Sequence, residues 1–313
     1  MPGNVVADLR AAVPEPVKQR FRRYRHELRK TRDRAEVAAG VFRNPPFTPP
    51  GRHDSPIPGD QETEWALRAQ PPVTDVEFDQ EEQLTLMKEL GDLWHGLPDL
   101  PQPGWRFRSS WFFPPADATV YFALLRHWHP RRIVEVGSGF SSALALDCSA
   151  RHDIRIQRTF IEPYPERLMD LLRERDESES TILAQPVQDV PLEVFEQLEA
   201  NDILFIDTDH FTKSGSEVNW LFFNVLPRVA PGVHIHVHDM FWPFEYPERW
   251  LRQRRAYNEL YFVRAFLANN DHYRIRLFSS WVWQTHPELF TGVRPGETKF
   301  TRVEPGSLWM DKV

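Results

Sequence analysis

Residues 133–142 read Ile-Val-Glu-Val-Gly-Ser-Gly-Phe-Ser-Ser and constrain the fold more than any other part of the chain. An apolar run that carries one acid leads to two glycines and then to a helix start. This order predicts a strand, a tight turn and the first turn of a helix. Gly137 and Gly139 leave room for a ligand to touch the backbone, and unpaired N–H groups near Ser141 suit a carboxylate or a phosphate.

Polar residues close the apolar segments that follow. When strands and helices alternate, the strands form a parallel sheet, and ligands bind at the carboxyl ends of its strands. The pattern therefore predicts that these closing residues meet at one edge of the sheet. The segments are 155–162 ending in Glu162, 181–185 leading to Gln188 and Asp189, 202–207 ending in Asp207, and 232–239 ending in His238 and Asp239.

Taken together, these motifs resemble the class I S-adenosylmethionine-dependent methyltransferases over roughly residues 110–313. The resemblance implies that S-adenosylmethionine binds at the glycine turn, that Glu162 accepts hydrogen bonds from its ribose, and that Gln188 or Asp189 contacts its adenine. The cofactor-binding residues that it implies are Glu135, Gly137, Ser138, Gly139, Ser141, Glu162, Gln188, Asp189 and Asp207.

Segments 205–210, 213–219 and 236–243 also resemble a bacterial group of these enzymes that is often linked to polysaccharide or natural-product pathways. That likeness implies O-methylation of a small molecule or a glycan. One alternative is an NAD-dependent oxidoreductase, but its turn would have glycine where this chain has Ser142. Another is a protein that binds S-adenosylmethionine without catalysis.

The expected fold is an α/β, Rossmann-like doubly wound sheet, mostly parallel, with an antiparallel edge formed by residues 273–280 and 307–312. Residues 109–313 would form the methyltransferase domain. Residues 1–108 would form an N-terminal helical cap with a proline-rich connector at 44–60. We expect Asp117 to cap a helix that ends near His129, and long helices at 217–228 and 248–268.

The N-terminal residues 17–34 are basic and carry apolar side chains at helical spacing. This pattern predicts an amphipathic helix, which could join two copies of the chain. A position on an anionic lipid surface is the less favoured alternative.

Charge and cysteine content narrow the class of partner. The net charge of −7 and the pI near 6.0 give no basic footprint for nucleic acid, so we expect none as a substrate. Cys148 is the only cysteine and cannot form an internal disulfide, which favours a reducing, cytoplasmic location. No run of residues is apolar enough to predict a membrane span or a signal peptide.

Methyl transfer to an oxygen requires a group that takes the acceptor's proton. His210 is the first candidate, because an imidazole with an unperturbed pKa of about 6.5 works near neutral pH. His238 is the second. Asp207 and Asp239 would position the acceptor.

The same acids suggest a metal-dependent alternative. In catechol-type O-methyltransferases, an Asp after the fourth strand and an Asp-Asn pair after the fifth hold a divalent ion. Asp207 and Asp239 match two of these positions and would hold Mg²⁺ or Mn²⁺. Met240 replaces the Asn, and a thioether is a poor ligand for such an ion.

His234, His236 and His238 alternate with apolar residues, so their rings lie on one side of a strand. We expect His234 and His236 to be core histidines that are satisfied by hydrogen bonds.

Overall fold

The computed structural model describes residues 50–52, 55–68, 72–98, 102–108, 110, 112–291 and 303–313. Residues 60–313 form one compact unit, which contains the whole sheet. The predicted boundary between residues 108 and 109 falls inside this unit, and the division into cap and catalytic domain stays a prediction. The predicted helix at 17–34 lies outside the described residues, so the oligomer predicted through it is not described either.

Seven strands form a single sheet in the order β3-β2-β1-β4-β5-β7-β6. The first five in this order pair in parallel, and β7 runs antiparallel to both β5 and β6. The predicted Rossmann-like sheet with an antiparallel edge is therefore confirmed. The strands are β1 (Arg132–Val136), β2 (Gln157–Ile161), β3 (Ser180–Leu183), β4 (Ile203–Ile206), β5 (His234–Val237), β6 (Tyr273–Phe278) and β7 (Leu308–Lys312).

Register brings the strand ends to one level. Val136 pairs with Ile206, and Ile206 pairs with Val237. The residues that follow these three therefore leave the sheet side by side. The chain order reverses between β1 and β4, which is where open α/β sheets bind ligands.

Helices cover the sheet, and all residues of the central strands β4 and β5 are buried. The helix after β4 continues as a π-helical turn over Leu221–Val225. The helices are α1 (Asp60–Ala66), α2 (Gln80–Gly91), α3 (Pro115–Trp128), α4 (Phe140–His152), α5 (Glu166–Met169), α6 (Glu174–Glu179), α7 (Glu193–Glu196), α8 (Glu217–Trp220), α9 (Glu248–Arg252), α10 (Glu259–Leu267), α11 (Ser279–Thr285) and α12 (Glu288–Thr291).

Asp117 does not cap α3, contrary to the prediction. The helix begins two residues earlier, and the Asp117 side chain is fully buried. Its carboxylate accepts hydrogen bonds from the Gly306 N–H at 3.1 Å and from the Ser307 hydroxyl. Asp117 therefore ties the start of β7 to α3, a partner that lies 190 residues away in sequence.

The long helix predicted at 248–268 is also wrong. It divides into α9 and α10, and Arg254 between them has a left-handed backbone with φ of 56°. The sequence shows apolar residues at helical spacing across this break, because both helices bury one face against the same core. That spacing predicted one helix where there are two.

A buried ion pair holds the segment before α3. The Arg106 guanidinium donates to both oxygens of Asp176, at 2.5 and 2.6 Å, and to Asp147 at 2.7 Å. Asp147 also accepts the backbone N–H groups of Arg106 and Phe107. The segment is thereby fixed to α4 and α6.

Within the described residues, no helix is both long and apolar enough to cross a membrane.

Candidate active site

The turn after β1 requires glycine at its first position. Gly137 has φ of 85°, and a Cβ atom there would lie 1.7 Å from the carbonyl oxygen of Asp207. The close approach of β1 and β4, and not only the approach of a ligand, therefore excludes a side chain at this position.

Gly139 is less constrained than Gly137. A Cβ atom at Gly139 would meet the Cδ atom of Arg167 at 3.1 Å, which is a flexible side chain. The Gly139 N–H donates to the hydroxyl oxygen of Ser142 at 2.9 Å. Ser142, which stands where a dinucleotide site has glycine, thus satisfies the start of α4.

Glu135 is wholly buried beneath this turn. One of its oxygens accepts a hydrogen bond from the Ser141 hydroxyl, while Oε2 has no partner among the described residues. Burial raises the pKa of Glu135 to about 8, although hydrogen bonds from Ser141 and Ser142 oppose the shift. Ser138 is also buried, beside the turn.

Three further predicted cofactor residues lie along the same edge. Glu162 follows β2 and accepts the Tyr164 N–H at 2.8 Å with one of its oxygens. Gln188 donates to the Gly215 carbonyl at 2.9 Å, and Asp189 is exposed. Of the two residues predicted to contact the adenine, Gln188 therefore already uses its side-chain amide in a hydrogen bond, whereas the Asp189 side chain is exposed.

A cleft opens beside the glycine turn. Phe112 and Phe113 border it on one side, and the Arg167 guanidinium lies 4.4 Å from the centre of the Phe112 ring. Asp207 also lines this cleft. The glycine turn and the end of β4 therefore face the same space.

His210 lies at the centre of a cluster of acids. Its Nε2 atom is 3.0 Å from Asp239 and 3.7 Å from Asp207, and its Nδ1 atom is 2.8 Å from Glu259. The structure thus brings together His210, Asp207 and Asp239, which the sequence predicted as one site. His210 and Asp239 both have left-handed backbones, with φ of 62° and 59°.

Charges in the cluster act on one another. Burial would lower the pKa of His210, but the carboxylates of Asp239 and Glu259 raise it well above its usual range. Burial would raise the pKa of Asp239, but the positive charges of His210 and His238, and more weakly that of Arg255, hold it below its usual range. Burial raises the pKa of Asp207 to about 6.

Sequence reasoning missed Glu259. This residue opens α10, is fully buried, and accepts a hydrogen bond from the Thr208 hydroxyl at 3.1 Å. An acid in the first turn of a helix is common, so the sequence offered no signal that it contacts His210.

The three histidines of β5 differ in their surroundings. His234 bonds Asp311 at 2.6 Å and stacks on Trp128, while His236 bonds the Ser307 hydroxyl at 3.1 Å. Both are buried, as predicted for core histidines. His234 has partners on both ring nitrogens, whereas Nδ1 of His236 has none among the described residues, so the prediction of satisfied hydrogen bonds holds in full only for His234. His238 is buried beside the cluster, with Nε2 at 3.7 Å from Asp239.

These residues do not fit a divalent-ion site as they are arranged. The His210 ring lies against both Asp207 and Asp239, and an imidazolium there competes with a cation. The Met240 side chain is buried in the core. Among the described residues, no group of three or more His, Cys, Asp or Glu side chains is arranged so that it could hold a metal ion.

Aromatic residues after β4 and β5 lie beside the cluster. The Tyr257 ring lies 5.2 Å from the His210 ring and 5.2 Å from Phe211. Trp250 lies 5.5 Å from Tyr257, and the Arg255 guanidinium lies 4.4 Å from the centre of the Trp250 ring. This aromatic surface, formed by Phe211, Tyr257 and Trp250, contacts the cluster through the Tyr257 and His210 rings.

Comparison with known proteins gives matches over the same region. A family described as "Methyltransferase domain" matches residues 134–240. An uncharacterized protein of Archaeoglobus fulgidus is 36% identical over 170 residues, which cover 50% of this chain and 75% of the relative.

Two solved structures are similar at low sequence identity. The apo-structure of CmcI-N160 is 17% identical, covers 82% of this chain and 96% of its own, and gives a TM-score of 0.41. The S-adenosylhomocysteine-bound methyltransferase PaMTH1 of Podospora anserina is 14% identical, with coverage of 79% and 100% and a TM-score of 0.45.

The family match runs from β1 through the glycine turn to the residues after β5, and so covers the strands whose ends build the site. The strand order and the glycine turn agree with it. This chain belongs to the class I S-adenosylmethionine-dependent methyltransferases.

Proposed function

We propose that this enzyme methylates an oxygen of a small molecule or a glycan, at the junction of the cleft and the His210 cluster. The observation that carries the proposal is the position of Asp207, which lines the cofactor cleft and also lies 3.7 Å from His210. An acceptor at this junction would meet both the methyl group and a proton acceptor, as an in-line displacement needs.

The residues of the cleft suit S-adenosylmethionine, which when bound supplies an electrophilic methyl group. Glu162 keeps one oxygen for the ribose hydroxyls, and Asp189 is free to meet the adenine. Arg167 supplies a cation beside Gly139 for the carboxylate of the methionine part.

His210 is the proposed base. In the cluster as it stands, Asp239 and Glu259 raise the pKa of His210 well above its usual range, so the ring would first lose its Nε2 proton to solvent as the acceptor enters. Glu259 holds Nδ1, so the neutral ring would then carry its lone pair on Nε2. An acceptor hydroxyl that enters between Nε2 and Asp239 would give its proton to His210, and Glu259 would stabilise the imidazolium that forms. Asp239 and Asp207 would orient the acceptor, and His238 is the second candidate base.

The metal-dependent alternative requires the His210 ring to leave the two carboxylates. Because the donor set does not fit an ion while the ring is there, we favour a reaction that needs none. Activity should then survive treatment with EDTA. Loss of activity, with recovery on addition of Mg²⁺ or Mn²⁺, would support the metal-dependent reaction instead.

The test is transfer of a labelled methyl group from S-adenosylmethionine to components of an extract of the source cells, followed by mass spectrometry of the products. Labelled products that resist base hydrolysis, but release labelled methyl iodide when heated with hydriodic acid, would identify O-methyl ethers. Label on nitrogen or carbon would contradict the proposal.

A further inference from the structure

A group of arginines follows the aromatic residues after β5, and one of them differs from its neighbours. Arg252 pairs with Glu248 at 2.6 Å and with Glu64 at 3.0 Å, and Arg254 pairs with Asp60 at 3.1 Å. These are exposed surface pairs. Arg255, in contrast, has no carboxylate partner within salt-bridge distance in the part of the chain that the structure describes.

Arg255 is held by aromatic rings instead. Its guanidinium lies 4.4 Å from the centre of the Trp250 ring and 5.7 Å from that of Tyr257, while Nε donates to the Gln253 side chain at 3.0 Å. A guanidinium has five N–H donors in one plane, so a stacked Arg255 keeps the pair of donors at its tip for another acceptor.

Arg255 lies near the His210 cluster, through its contact with Tyr257. Tyr257, which it contacts, lies 5.2 Å from the His210 ring, and the charge of Arg255 reaches Asp239. The cofactor cleft has a cation of its own, Arg167, beside Gly139.

The surroundings of Arg255 are acidic. Asp207, Asp239 and Glu259 lie in the cluster, and the whole chain carries a net charge of −7. An anionic acceptor would be repelled from this cluster unless a cation met its charged group. A stacked guanidinium matches a carboxylate or a phosphate through two parallel hydrogen bonds.

We infer that Arg255 binds an anionic group, a carboxylate or a phosphate, on the acceptor. This inference rests on the proposed function and names its substrate class. The acceptor is an acidic sugar, a sugar phosphate or an aromatic acid whose hydroxyl reaches His210 while its charge lies at Arg255.

The first experiment measures the charge of the product. The enzyme is incubated with methyl-labelled S-adenosylmethionine and an extract of the source cells, and the labelled products are passed over an anion exchanger at pH 7. Retention of the label is expected. Label in the neutral fraction would overturn the inference and leave O-methylation intact, whereas no labelled product at all would contradict the proposed function and the inference with it.

The second experiment uses three variants with the retained fraction of the extract as the acceptor pool. Arg255→Met should raise the apparent KM for this pool about 10- to 100-fold, the loss expected for a hydrogen-bonded ion pair. Arg255→Lys should fall between Arg255→Met and the parent, because it keeps the charge without the planar fork. Arg252→Met, which removes an exposed arginine of α9, is the matched control and should behave as the parent.

Arg255 could bind the carboxylate of the cofactor instead of an anionic group on the acceptor. Calorimetry with S-adenosylhomocysteine distinguishes these two possibilities. Unchanged affinity in Arg255→Met is expected, since Arg167 serves the cofactor. Loss of that affinity would assign Arg255 to the cofactor and overturn the inference, as would an unchanged KM. If Arg255→Met does not fold, Arg255→Lys alone tests the inference. An apparent KM for the acidic acceptor pool equal to that of the parent in Arg255→Lys would then contradict a role for the guanidinium.

Discussion

The carboxylate of Glu259 lies 2.8 Å from Nδ1 of His210, although 49 residues separate the two in sequence. Glu259 is fully buried and opens α10, whereas His210 follows β4. A helix and a loop that are distant in sequence therefore fix the orientation of the His210 ring. The other ring nitrogen is thereby directed at Asp239.

Replacing Glu259 with glutamine should lower turnover about 10- to 100-fold and leave affinity for S-adenosylhomocysteine unchanged. The amide keeps the size of the side chain but cannot stabilise an imidazolium at His210 as a carboxylate does. Steady-state kinetics and calorimetry measure the two effects. Glu248→Gln, on the exposed side of α9, is the control, and full turnover in Glu259→Gln would show that the contact is only structural.

Replacing His210 with alanine should lower turnover by roughly 10²- to 10⁴-fold, because general-base catalysis acts on the transition state. Cofactor affinity should change little, since His210 is not among the residues that line the cleft. His238→Ala is the comparison. If it loses turnover while His210→Ala keeps it, the base lies after β5 instead of β4.

The sequence predicted the parts of this site that follow strands, and it missed the parts that support them. Asp207 and Asp239 were predicted because each closes an apolar run, and the sheet register then brings those ends together. Glu259, Arg255 and Asp117 had no such signal. Their roles depend on how helices pack on the sheet, which local patterns do not encode.

The same limit explains the mistaken reading of Asp117. An Asp near the start of a helical pattern normally caps it, but Asp117 instead accepts the N–H of Gly306 from inside α3. Gly306 in turn accepts the Met240 N–H at 2.8 Å, and so supports the backbone beside Asp239. A contact across nearly 190 residues had replaced the local one.

The two glycines of the turn should respond differently to alanine. Gly137→Ala should destabilise the fold by about 3 kcal/mol or more, because a Cβ atom would overlap the Asp207 carbonyl and the backbone is left-handed. Gly139→Ala should cost less, since the Arg167 side chain can move. Urea unfolding of both variants checks the order, and equal stability of the two would contradict it.

The Arg106 ion pair should be costly to break. Arg106→Met would leave Asp147 and Asp176 buried without a cation, for a loss of about 3–5 kcal/mol in the free energy of unfolding. Arg175→Met, which removes only the exposed pair with Glu179, should leave stability nearly unchanged, because water and salt screen that pair. Chemical denaturation of the two variants under one set of conditions gives the comparison.

The free energy of unfolding should depend on pH through Glu135. There is a pH range in which this side chain is protonated in the folded protein but ionised in the unfolded chain. The pKa of Glu135 is about 8 in the folded protein, against an unperturbed value near 4.5. Because the folded state holds the extra proton between these values, its contribution is complete below about pH 4.5 and is lost as pH rises to about 8.

Glu135→Gln tests this dependence, because the amide resembles the protonated acid and does not titrate. Asp207 and Glu217, whose pKa values burial raises to about 6 and about 7, give slopes of the same sign, so the difference between variant and parent is the quantity to measure. Urea unfolding at intervals from pH 5 to pH 9 should show the variant gaining stability on the parent as pH rises, and then a constant difference above about pH 8. A difference that does not change with pH would mean that Glu135 is ionised in the folded protein, and that the unpartnered Oε2 beneath the glycine turn has found a donor there.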